Sequence, residues 1–145
     1  MLPSQHTRLA AATTLLLLLI AGCSGQSFAP VEGTLSMNGR PLANVQVEFQ
    51  PEANGPRSTG FTDQDGKFQL TTESQRPGAV VGMHRVVLYD TQIYDDKPPP
   101  GQKKERDIVP IRPARFPARY SEVAKTPLKK EVQSSPNSIE LEVTP

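Results

Sequence analysis

The chain is poor in the residue types from which disulfide-stapled and metal-dependent proteins are built. It holds one cysteine, two histidines and no tryptophan in 145 residues. One cysteine, Cys23, excludes an internal disulfide framework. Zinc centres draw on pairs or triplets of histidine with carboxylates or thiolates, and downstream of residue 22 the chain offers His84 alone. No G-x-S-x-G elbow, phosphate-cradling glycine loop or C-x-x-C pair is present. Charge of either sign is not in excess, with 16 Lys plus Arg against 15 Asp plus Glu. That balance argues against nucleic acid as a partner, since nucleic-acid binding rests on a basic surface. The longest apolar run, residues 9–20, is about a dozen residues, short of the roughly 20 needed to cross a bilayer.

What is present begins with that run. Arg8 precedes it and polar Ser24, Gly25 and Gln26 follow it soon after, a pattern of secretory signal peptides rather than of core helices. Its end, Ile20-Ala21-Gly22-Cys23, resembles the lipobox of bacterial lipoproteins: aliphatic, small, small, cysteine. The resemblance implies that residues 1–22 are removed and that Cys23 becomes a lipidated first residue carrying acyl chains such as palmitate. Several chains are needed for a durable anchor when each buried methylene contributes about 0.8 kcal/mol. Residues 23–29 then read as the lipidated cysteine and a short tether. Taking away residues 1–22, which hold Arg8 and no acid, leaves 123 of the 145 residues with 15 Lys plus Arg against 15 Asp plus Glu. This is the size of one ordinary domain, residues 30–145.

That domain reads as strands. Val45, Val47 and Phe49 alternate with Gln46, Glu48 and Gln50, the period of a strand with one buried face. Val31, Gly33, Leu35 and Met37 precede them in the same phase. Asn38-Gly39 is a hairpin signal because both residues tolerate positive φ. "TGFT" and "KFQLTT" flank "DQDG", with Phe68 and Leu70 inward and Lys67, Gln69 and Thr71 outward. His84, Val86 and Leu88 share one side of a further strand. Near the end Ile139, Leu141 and Val143 alternate with Glu140 and Glu142. No stretch of the domain has a helical period. The expectation is an all-β fold, a seven-stranded antiparallel sandwich.

"VEGTLSMNGRPLANVQVEFQPE", "TGFTDQDGKFQLTT" and "GMHRVVL" together resemble the carboxypeptidase regulatory-like domain, an Ig-like/transthyretin-like β-sandwich found in bacterial lipoproteins. The matching positions are Gly33, Leu35, Gly39, Pro41, Leu42, Val45 and Val47, then Thr62, Asp63, Gly66 and Phe68, then Gly82, His84, Val86 and Leu88. "FPARYSEV" resembles the family's proline-aromatic-tyrosine corner, which leads into the last two strands. Each match is a turn or core position, so the resemblance speaks for fold and not for activity. The family name refers to a domain appended to carboxypeptidases; with His84 alone downstream of residue 22, the peptidase zinc site cannot be built here.

The candidate sites are few. Asp63 and Asp65 of "TDQDG" suggest calcium, but the glycine and glutamate spacings of an EF-hand are missing, and a tight turn explains the stretch. His84 reads as a packed structural histidine. Sugar-binding surfaces stack rings on exposed aromatics. Phe49, Phe61 and Phe68 are expected in the core, which leaves Tyr89, Tyr94 and Tyr120 as candidates. The least ordinary segment is residues 91–119, with six prolines and seven Lys or Arg against four Asp or Glu. Loops of this length are functional or unstructured connections, and prolines preorder an extended backbone for binding. Lys97, Lys103, Lys104, Arg106, Arg112 and Arg115 are its candidate contacts to an envelope protein or an anionic polymer. The expected function is a non-enzymatic binding or structural module, without cofactor or metal. It would be anchored to the membrane through Cys23; Ser24 after the cysteine favours the outer membrane, facing periplasm or cell surface. The competing expectation is an enzyme accessory or carbohydrate-binding protein acting on envelope polymers.

Overall fold

The computed structural model describes residues 25–93 and 112–145. Residues 1–22, expected to be a signal peptide, and Cys23, Tyr94, Lys97, Lys103, Lys104 and Arg106 lie outside them. The regular structure of the described chain is mostly β. In chain order the strands are β1 (Phe28–Ala29), β2 (Val31–Met37), β3 (Arg40–Pro41), β4 (Val45–Pro51), β5 (Ser58–Phe61), β6 (Lys67–Gln69), β7 (Thr71–Thr72), β8 (Ala79–Val80), β9 (Gly82–Asp90), β10 (Lys129–Val132) and β11 (Asn137–Val143). Two 3₁₀ turns, Thr91–Ile93 and Ala118–Ser121, flank the loop region.

One sheet runs β10-β9-β4-β5-β7, all antiparallel. A second runs β11-β2-β3, with β6 sharing the β3 edge of β2. β1 and β8 form a small separate pair. Val31 and Leu35 of β2, Phe68 of β6 and Leu141 and Val143 of β11 meet Val45, Val47 and Phe49 of β4 and Val86 and Leu88 of β9 in one buried core. The Phe49 and Phe68 rings pack across it with centroids 6.4 Å apart. Each such side chain contributes about 1.5–3 kcal/mol on leaving water, so two apolar faces suffice to hold the sheets together. The Asn38-Gly39 turn is as the sequence predicts, with φ of 51° and 72°, the paired positive angles of a type I′ hairpin.

Three expectations are corrected. Eleven strand segments replace seven among the described residues, because turns and sheet changes divide the longer runs. The last strand, β11, pairs parallel to β2, Asn137 beside Val31 through to Val143 beside Met37. Alternating apolar residues set which face of a strand is buried, but they fit a parallel and an antiparallel neighbour equally. Third, Glu48, expected in solvent, is 4% exposed. β4 is the central strand of five, and Glu48 lies between Val87 and Thr59 of the flanking strands. Gln50 Nε2 donates to its carboxylate at 2.6 Å and Arg57 stands 3.8 Å away.

Candidate functional site

The corner between β5 and β6 borders a concave groove. β5 belongs to the five-stranded sheet and β6 to the other, so the turn between them carries the chain across. Asp63 shapes that turn: its Oδ1 accepts from the Asp65 and Lys67 backbone N–H groups, each at 2.9 Å, and its carbonyl accepts from Gly66 N–H at 3.0 Å. This is an aspartate-closed turn, and it accounts for the "DQDG" stretch. Gly60 lets β5 approach the second sheet, since an added Cβ would run into the Gln69 carbonyl.

Gly60 also explains a side chain that sequence reasoning misplaced. In β5 the register sets Gly60 opposite inward Val47 and Phe61 opposite Gln46 on the outer face. Phe61, expected in the core, is 62% exposed. "STGF" contains one large apolar residue, so no alternation was available to set its phase. Phe61 borders a groove of about 700 Å³ whose polar wall includes Glu32, Thr34, Asp63, Lys67 and Gln69. Among the described residues Glu32, Asp63 and Lys67 enter no ion pair. A second groove of about 460 Å³ shares Glu32, Gln69 and Ser138 with the first and continues to Pro30, Pro77 and Pro136.

The loop region has a different character at its base. Arg115 donates from Nη2 to Asp90 Oδ1 at 2.6 Å and to the Ala43 carbonyl at 2.8 Å, while its backbone N–H donates to Asp90 Oδ2 at 3.0 Å. The Asp90 side chain is 1% exposed. Burial by itself would raise the Asp90 carboxyl, but the Arg115 hydrogen bonds and charge outweigh it and hold the group below its ordinary range. Arg115 therefore ties the return of the loop to the end of β9, and its charge is engaged inside the molecule. Arg112 is exposed. The expected tether is also shorter at its far end: Phe28 and Ala29 lie in β1, Ala29 is buried, and the Ser27 carbonyl accepts from Val81 N–H at 2.9 Å.

Two further candidates belong to the core. Tyr120 is 2% exposed and packs edge-on against Phe116 at 6.3 Å; its hydroxyl accepts from Thr144 N–H at 3.0 Å. Tyr120 is thus withdrawn from sugar stacking, and Tyr89 is half-buried on the outer sheet face. His84 is fully buried, its ring 5.7 Å from that of Phe49 and its Nδ1 3.0 Å from the Gly82 carbonyl. Burial pushes its pKa down, opposed in part by that carbonyl. A neutral ring sealed from solvent fits the structural role expected for it. Among the described residues no three His, Cys, Asp or Glu side chains lie close enough to share a metal ion. No protein-family model, curated protein or solved structure matches this chain.

Proposed function

We propose that this chain is a lipid-anchored module of a bacterial cell envelope that binds or organises other envelope components and performs no reaction of its own. In this reading its two-layer β fold is the transthyretin-like sandwich of carboxypeptidase regulatory-like domains, held at the outer membrane through Cys23. The observation that carries the proposal is the spacing between the lipobox cysteine and the first fixed backbone group. From Cys23 to Ser27, whose carbonyl is already bonded to Val81, four residues reach at most about 14 Å. Acyl chains on Cys23 would hold the β1–β8 end of the domain against the headgroups, so the module would work beside the bilayer. Arg76, stacked 3.8 Å over the Phe28 ring centroid, braces that end.

Lys97, Lys103, Lys104 and Arg106, with Arg112, remain the proposed contacts to an envelope protein or an anionic polymer. Labelled palmitate supplied to cells should enter the parent chain and not a Cys23→Ser variant, which should fractionate as soluble protein. Equal labelling of the two would refute the anchor. Crosslinking in intact cells tests the loop: changing Lys103, Lys104 and Arg106 to Ser should remove a partner recovered with the parent. An unchanged partner set would reduce the segment to a connection.

A further inference from the structure

We propose that the groove at the β5–β6 corner binds an uncharged saccharide chain. The proposal rests on the reading of the domain as a binding module and assigns the chemistry of one ligand. Three features of the groove select it. Phe61 offers an aromatic face to solvent, 62% exposed, where the apolar C–H face of a pyranose ring can stack. Around it stand groups that match a ring's hydroxyls: the Glu32 carboxylate, the Gln69 amide, the Thr34 hydroxyl and the Lys67 ammonium. Asp63 turns one oxygen to its own turn and keeps the other for a ligand.

The same features set aside other occupants. Two carboxylates against one ammonium leave the wall slightly acidic, which repels a polyanion. An extended peptide would bind by adding to an open sheet edge, and the β2 edge along Glu32, Gly33 and Thr34 is already taken by β6. The second groove, sharing Glu32, Gln69 and Ser138, extends the same surface. A chain of several sugar rings has room to lie across both, with Phe61 under one ring. Each groove, at about 700 and 460 Å³, lies within the about 300–1,000 Å³ that ligand sites span.

The test is affinity electrophoresis and titration calorimetry of the full chain in detergent with maltopentaose, cellopentaose and chitopentaose. Polygalacturonate and a proline-rich peptide serve as contrasting probes. At least one uncharged oligosaccharide should bind. Phe61→Ala should weaken it about tenfold or more and Gln69→Ala by severalfold, while Phe61→Tyr should keep it. Because Phe61 is exposed, an unchanged unfolding midpoint of the alanine variant certifies its fold. Equal binding by the parent and Phe61→Ala, or binding of none of the three sugars, would overturn the proposal. Phe61-dependent retention of polygalacturonate would overturn the uncharged character assigned to the ligand, and of the peptide its saccharide class, while either keeps a binding module at this groove. The anchor stands or falls separately, on palmitate labelling at Cys23.

Discussion

Arg115 and Phe61 exchange the places that their chemistry suggests. At the base of the loop a guanidinium, the kind of group expected to reach for a partner, is turned inward onto Asp90 and the Ala43 carbonyl. At the β5–β6 corner a phenyl ring, the kind expected in the core, stands in solvent beside polar groups. The difference teaches that residue type sets the cost of a position but not the position itself. An arginine turned inward needs a carboxylate at the right distance, and the buried Asp90 supplies it. An exposed phenylalanine costs little in stability, and strand register decides where it points.

The largest test of this contrast is Arg115→Ala. It leaves the Asp90 carboxylate buried without its partner charge, and urea unfolding at pH 7 should register a loss of about 2–3 kcal/mol, below the full range for buried pairs because Arg115 is partly solvated. The folded Asp90 carboxyl lies below its ordinary 3.8. Its contribution is therefore complete above that pH and is lost as pH falls through the lower folded value. Parent and variant should converge in strong acid; a constant gap would show that packing, and not charge, holds the loop base.

His84 gives the next effect. Its folded pKa is depressed below 6.5 by burial, so the unfolded chain binds the proton more readily and stability is lost as pH falls below that value. The slope approaches about 1.4 kcal/mol per pH unit for one proton. His84→Phe should remove this dependence below pH 6.5 in thermal unfolding, and a slope equal to the parent's would assign it to other groups. Tyr120→Phe should cost about 1 kcal/mol, since it strips the Thr144 N–H of its acceptor. The smallest change belongs to Phe61: Phe61→Ser should move stability by less than about 0.5 kcal/mol. A loss as large as that of Arg115→Ala would place Phe61 in the core after all and erase the contrast.

Much of the architecture was legible along the chain because alternation reports burial directly. Val31, Leu35, Val45, Val47, Phe49, Phe68, Val86, Leu88, Leu141 and Val143 were all expected inward and all are buried. Asn38-Gly39 and the Asp63 turn were legible because their backbone angles and side-chain bonds are local. The groove was not legible. Its walls come from β2, β5, β6 and β11, whose outward residues are ordinary polar ones until register brings Glu32 beside Gln69 and Ser138. The signal that pointed to Phe61 was Gly60, a small residue in an inward phase, readable only once the close approach to Gln69 is known.

The sequence by itself determined the strand character of the domain, the turns and most of the core, since each depends on neighbours within a few residues. The tertiary structure alone decided the parallel pairing of β11 with β2, the burial of Glu48 on a central strand, the inward turn of Arg115 and the outward turn of Phe61. These depend on which segments become neighbours, and contacts between distant segments leave no periodic mark in either segment alone.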